Sequence, residues 1–157
     1  MDQTPPTTPP TPPAAPTPPA TPSADSQPAN QHGDQPKRIL LVEDDDALAS
    51  VYTSRLQTEG FDVRRVANGE EALAAATSYK PDLVLLDVMM PKVSGFDVLD
   101  ILRNTPETAN LKIIMLTALG QESDKARATG LGADDYLVKS QVVIADVVER
   151  IRHHLGM

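Results

Sequence analysis

Four short apolar runs end abruptly at polar side chains, and this pattern restricts the chain to few folds. Ile39-Leu40-Leu41-Val42 runs into Glu43 and Asp44, and Leu83-Val84-Leu85-Leu86 into Asp87. Ile113-Ile114-Met115-Leu116 runs into Thr117, and Tyr136-Leu137-Val138 into Lys139. The first three are continuous rather than alternating, as expected of strands covered on both faces of a parallel sheet. Helix-like stretches fill the gaps, so strand and helix alternate five times from Lys37 onward. With right-handed crossovers, that alternation makes a doubly wound α/β sheet. Its polar strand ends then gather at one edge, where open α/β sheets place their ligands.

The remaining elements follow from local chemistry. Phe61 to Val66 carries Arg64 and Arg65 and reads as an edge strand, and the short run Asp135 to Val138 closes the other edge. Asp46 is the expected cap of a helix over 47–58, whose inner stripe is Leu48, Val51, the Arg55 stem and Leu56. Asn68 caps 69–78, and Pro81 keeps that helix from running into the next strand. Gly95 opens 96–104, 121–129 ends at Gly130, and 141–155 sets Ile144, Val147, Val148, Ile151 and Leu155 on one face.

Composition divides the 157 residues near Lys37. Residues 1–36 hold 12 of the 15 prolines and no Lys or Arg. Such a segment buries too little apolar surface to offset its ordering entropy and is expected to be a disordered Pro/Thr-rich tail, a tether or a dispensable extension rather than a ligand for a proline-binding partner. Residues 37–157 form the expected single domain, with 14 basic and 19 acidic side chains. That balance argues against direct DNA binding through the phosphate backbone. No cysteine is present for disulfide or thiolate chemistry, and no apolar run is long enough to span a membrane. The N-terminus lacks the basic and apolar regions of a secretory signal, so a cytoplasmic protein is expected.

Singly, the strand-end residues have ordinary explanations. Asp87 reads as a cap, Thr117 as a packed β-branched residue, Lys139 as a solvated strand end, and the Glu43–Asp46 run as a solvated loop. Together they do not. Carboxylates crowded at neighbouring strand ends repel one another by several kcal/mol unless a cation sits among them. Hard oxygen donors favour Mg2+, and no thiolate is available for zinc. A phosphoryl group on Asp87 would carry roughly two negative charges, which Mg2+, the Lys139 ammonium and the Thr117 hydroxyl would share.

Five motifs, in order, then point to a family. They are Val42-Glu43-Asp44-Asp45, Ala67-Asn68-Gly69-Glu70-Glu71-Ala72-Leu73, Pro81-Asp82 through Asp87-Val88-Met89-Met90-Pro91 with Gly95, Leu116-Thr117-Ala118, and Gly132-Ala133-Asp134-Asp135-Tyr136-Leu137-Val138-Lys139. Over 38–151 the chain resembles the receiver domain of bacterial two-component response regulators. The resemblance implies a flavodoxin-like sheet of five parallel strands in the order 2-1-3-4-5. It implies that Asp87 accepts phosphate from a sensor histidine kinase or phosphotransfer protein. It further implies that Glu43 and Asp44 form the acidic pocket, with Asp44, Asp87 and the Met89 backbone carbonyl as Mg2+ ligands. Thr117 and Lys139 match the hydroxyl and lysine that grip the phosphoryl oxygens, Tyr136 matches the aromatic switch, and the small Ala118 leaves the group accessible.

Phosphorylation would draw Thr117 inward, let Tyr136 turn, and alter a surface built from 120–130, 135–138 and 141–155 that controls an unknown output protein. Only two residues follow Leu155, so a stand-alone, chemotaxis-regulator-like protein is expected. It would not be an enzyme beyond phosphorylating and slowly dephosphorylating itself. One departure from the family concerns Ser140-Gln141, which stands where a proline usually follows the lysine; Ser140 is an alternative cap for the last helix. Val142 and Val143 either pack on the core or, if exposed, favour a phosphorylation-linked homodimer. His153 and His154 read as solvated. Two other readings compete: a Mg2+-dependent aspartate-nucleophile phosphohydrolase, which would want an acid where Met89 stands, and a phosphorylation-independent receiver-like binding module.

Overall fold

Period-two alternation sorts each apolar strand into two cores. In a computed structural model that describes residues 35–157, the strands are β1 (Arg38–Val42), β2 (Asp62–Val66), β3 (Leu83–Leu86), β4 (Lys112–Thr117) and β5 (Asp135–Val138). All pair in parallel in the order β2-β1-β3-β4-β5, the expected doubly wound sheet. The helices are α1 (Asp46–Thr58), α2 (Gly69–Ser78), α3 (Gly95–Arg103), α4 (Glu122–Leu131) and α5 (Ile144–His154). Leu40, Val42, Val84, Leu86, Ile113 and Met115 face α2, α3 and α4. Ile39, Leu41, Leu83, Leu85, Ile114 and Leu116 face α1 and α5. Both faces are covered, so the central strands have no polar position until they reach their ends. The expected tail, 1–36, lies outside the described residues save for Gln35 and Pro36. Among the described residues no helix is long and apolar enough to cross a membrane.

Several local expectations shift by a residue or a turn. Asp45, not Asp46, caps α1, accepting from the Leu48 N–H at 3.0 Å. The buried face of α1 is Ala49, Tyr52 and Leu56, while Val51 is 55% exposed. Ser94 caps α3, accepting from the Phe96 N–H at 3.0 Å. Helix α4 runs through Gly130 and stops at Gly132, whose φ of +105° is the left-handed cap glycine permits. Helix α5 starts at Ile144, with the Asp146 carboxylate accepting from the Val143 N–H at 3.2 Å, so Ser140 is not its cap. Val142 packs against the core and Val143 is exposed. No cis peptide occurs among the described residues, so Lys139-Ser140 is trans. His153 is exposed, but His154 is not simply solvated: its Nε2 lies 2.9 Å from an Asp135 oxygen that also accepts from Arg150 at 2.6 Å.

Gly95 decides how closely α3 can approach the sheet. A Cβ there would overlap the Asp87 carbonyl oxygen and come within 2.7 Å of Val88 Cα. Without a side chain, the Gly95 N–H reaches the Val88 carbonyl at 2.9 Å and pins the segment that follows β3.

Candidate functional site

The residues that follow β1, β3 and β5 come together at one edge of the sheet. Glu43, Asp44 and Asp87 each offer a carboxylate oxygen, and these oxygens lie within 4.8 Å of one another. Glu43 and Asp87 are buried, and Asp44 is exposed. Lys139 enters from the far side, its Nζ 2.8 Å from Glu43 Oε1 and 3.4 Å from Asp87 Oδ2. Three carboxylates against one ammonium leave a formal charge that a divalent cation would neutralise. All the donors are hard oxygens, so the residues present fit Mg2+. The Met89 N–H donates to Asp87 Oδ1 at 3.2 Å, which brings the Met89 backbone to the pocket while its side chain stays exposed.

The electrostatics follow from that crowding. Burial pushes the Asp87 carboxyl up to about 6, with the Glu43 carboxylate adding to the rise and the Lys139 ammonium opposing it. Burial works to lower Lys139, but its hydrogen bond to Glu43 and the charges of Asp87 and Glu43 outweigh it and hold the ammonium up. The lysine therefore stays charged across the neutral range, while Asp87 titrates just below it.

Thr117 and Tyr136 meet at a single residue. Thr117 is fully buried, and its Oγ1 accepts the Leu119 N–H at 3.1 Å. The Tyr136 hydroxyl donates to the Leu119 carbonyl at 2.7 Å, with its ring already buried. Ala118, between Thr117 and Leu119, is exposed.

Two residues near the pocket have places there that the sequence pattern does not announce. Arg65, on the edge strand, donates through Nε and an NH2 nitrogen to the Glu43 carbonyl at 2.9 and 2.7 Å, and pairs with Asp46 at 2.9 Å. The signal that would have found it is register: Arg65 sits opposite Leu41, two residues before Glu43. Tyr52 is buried on α1, and its phenol is raised by burial, lowered by the Lys139 charge, and raised by Glu43 and Asp87. On α1 Leu48 and Leu56 face the core as expected, but Val51 turns outward and Tyr52 takes the inner position, within range of the pocket's charges.

The model of the response regulator receiver domain matches residues 39–152. The DNA-binding dual master transcriptional regulator RpaA of Synechocystis is 41% identical over 115 residues, which cover 73% of this chain and 47% of that protein. The phosphate regulon transcriptional regulatory protein PhoB of Rhizobium meliloti is 46% identical over 102 residues, 65% of this chain and 45% of the relative. The chain thus spans about half the length of these curated relatives. Among solved structures, a putative response regulator from Chloroflexus aurantiacus superposes with a TM-score of 0.73 at 36% identity, covering 78% of this chain and all of that one. These relatives correct one expectation. The absence of direct DNA binding does not stand, because a relative this similar is by name a DNA-binding regulator. The acidic balance behind that expectation describes only the shared region, which is less than half of that relative, and so does not bear on DNA contact.

Proposed function

The chain belongs to the response regulator receiver family of two-component signalling, and from that premise we propose that Asp87 is its phosphoacceptor. The phosphoryl group would come from the phosphohistidine of a sensor histidine kinase or phosphotransfer protein in a Mg2+-dependent reaction. The observation that carries this reading is the buried Asp87 carboxylate set between the Lys139 ammonium, 3.4 Å away, and the oxygens of Glu43 and Asp44.

An Asp87 oxygen forms the new O–P bond as the P–N bond of the phosphohistidine breaks, and the electron pair of that bond returns to the imidazole. Glu43, Asp44, Asp87 and the Met89 carbonyl would hold Mg2+, which when bound supplies positive charge to the phosphoryl oxygens. Such transfer depends on positioning and charge neutralisation more than on covalent help. Lys139 supplies an ammonium to one oxygen of the product and loses part of its hold on Glu43. Thr117 supplies a hydroxyl proton, since its oxygen only accepts in the hydrogen bonds of the described residues. Drawing Thr117 toward the phosphoryl group pulls on the Leu119 N–H, and Tyr136 holds the carbonyl of that same residue. The 120–130, 135–138 and 141–155 surface is thereby coupled to the pocket, and its change would alter the affinity of an output partner.

No turnover of a phosphate ester is expected, and Met89 occupies the position where an aspartate-nucleophile hydrolase would carry its second acid. Residues 37–157 would constitute the signalling domain of a cytoplasmic protein, with 1–36 as a tether outside it. The direct test is a Phos-tag gel after incubation with acetyl phosphate and Mg2+. A shifted band should appear for wild type and vanish for Asp87→Ala and on chelation of the metal. A wild-type chain that never shifts, or an Asp87→Ala chain that shifts equally, would overturn the assignment.

A further inference from the structure

Arg65 holds the peptide on which the acidic pocket is built. Two of its guanidinium nitrogens converge on the carbonyl oxygen of Glu43, at 2.9 and 2.7 Å. That carbonyl belongs to the peptide joining Glu43 to Asp44. A peptide unit is planar, so fixing the direction of its C=O also fixes the N–H of Asp44. The Glu43 N–H is tied to the same edge strand, donating to the Val66 carbonyl at 3.1 Å. Both peptides flanking Glu43 are therefore held from β2.

The ordinary account of Arg65 is a surface cation in an exposed ion pair, which contributes little. Three observations weigh against it. The Arg65 side chain is only 27% exposed, whereas the Asp46 side chain it pairs with is 91% exposed. Two of its three nitrogens bond the Glu43 carbonyl, and only one faces Asp46. That carbonyl lies on the residue whose side chain meets both Lys139 and the other two pocket carboxylates. The Asp46 carboxylate also offsets the guanidinium's charge, so Arg65 can organise an acidic site without repelling the cation meant for it.

We propose that Arg65 is a positioning residue for the divalent-cation pocket, setting the placement of Glu43 and Asp44 through its fork on the Glu43 carbonyl. The proposal rests on the Mg2+ reading given above. Groups that orient metal ligands typically change affinity by about 10- to 100-fold when removed, and a partly exposed one belongs at the low end. Lysine keeps the charge but not the planar fork, so Arg65→Lys should not fully restore binding.

The test titrates Mg2+ into the 15N-labelled full chain and reads the amide shifts of Asp44 and Met89, for wild type, Arg65→Gln and Arg65→Lys. Affinity should fall about tenfold in Arg65→Gln and by a smaller factor in Arg65→Lys, with circular dichroism unchanged. With acetyl phosphate, the Mg2+ concentration for half-maximal phosphorylation should rise by the same factor. The rate at saturating Mg2+ should stay within about twofold of wild type, a split that a loss of folded protein would not produce. Should Arg65→Gln fail to fold, the Arg65→Lys titration decides alone. Wild-type binding matched by both variants within twofold, or exceeded by Arg65→Gln, overturns the positioning role while leaving the Mg2+ reading intact. A wild-type chain whose amides do not respond to Mg2+ overturns both.

Discussion

Helix α3 buries Phe96, Val98, Leu99 and Leu102 and starts at a Ser94 cap, whereas α4, packed on the same face of the sheet, buries only Ala128 and starts at Gln121 with no side-chain cap. Helix α3 meets the segment after β3, which carries Asp87, through a glycine contact that admits no side chain. Helix α4 is held by the Arg127 guanidinium 4.3 Å from the Phe96 ring and by its Gly132 stop. Displacing α3 would expose a large apolar surface and move the Asp87 backbone. Displacing α4 exposes little, so a modest free-energy difference between two states suffices to shift it. The molecule thus keeps the acidic cluster on fixed parts and leaves the helix beside Leu119 and Tyr136 lightly fastened.

The contrast can be broken most directly in the core. Leu99→Ala should destabilise the fold by about 2–5 kcal/mol in urea denaturation. Arg127→Ala, which removes the cation from the Phe96 ring, should cost only about 0.5–1 kcal/mol. Equal losses would mean that α4 is fastened as firmly as α3.

The next effect concerns strain in the fixed pocket. Asp87 holds its proton up to about 6 in the folded chain against an ordinary 3.8, so the folded state binds that proton more tightly than the unfolded state does. Stability from this group is present below the lower value and is lost as pH rises through the upper one. In chelator at pH 8, Asp87→Asn should therefore exceed wild type by up to about 2–3 kcal/mol. The gain should fade as pH drops toward 4, and one that persists there would point away from ionisation as its cause.

Capping sharpens the comparison at smaller scale. Ser94→Ala should cost about 1 kcal/mol, while Gln121→Ala should fall within about 0.5 kcal/mol of wild type. Smallest, and opposite in sign, is Gly130→Ala inside α4. A Cβ there meets nothing within 4 Å, so the helix should gain about 0.5–1 kcal/mol. Amide hydrogen exchange should slow across α4 and not across α3.

Much of this architecture was legible because its signals are local or periodic. The apolar runs of β1, β3 and β4 are strands covered on both faces, and the carboxylates after β1 and β3 lie within 4.8 Å of one another. The Asn68 cap was equally legible, its side chain bonding the Glu71 N–H within one turn. What escaped depends on partners distant in sequence or on small energy differences. Val51 looked like a better core residue than Tyr52, but an amphipathic ring can bury its body near a polar pocket, and it took the inward position. Gly130 looked like a stop, yet an interior glycine costs a helix only about 1 kcal/mol, so the left-handed turn waited for Gly132. Arg65 and His154 act on residues 22 and 19 positions away, and only the sheet's register and the α5 packing bring them there.

Tyr52 turns the pocket into something that can be watched with light. The chain has no tryptophan, so its near-ultraviolet absorbance comes mainly from three tyrosines, and one of them shares its surroundings with Glu43, Asp87 and Lys139. Added negative charge at Asp87 pushes that phenol's ionisation further up the alkaline scale, and a cation among the carboxylates pulls it back down. A near-ultraviolet difference spectrum taken near neutral pH, with Tyr52→Phe as the blank, would therefore register that change of charge without a dye or a label.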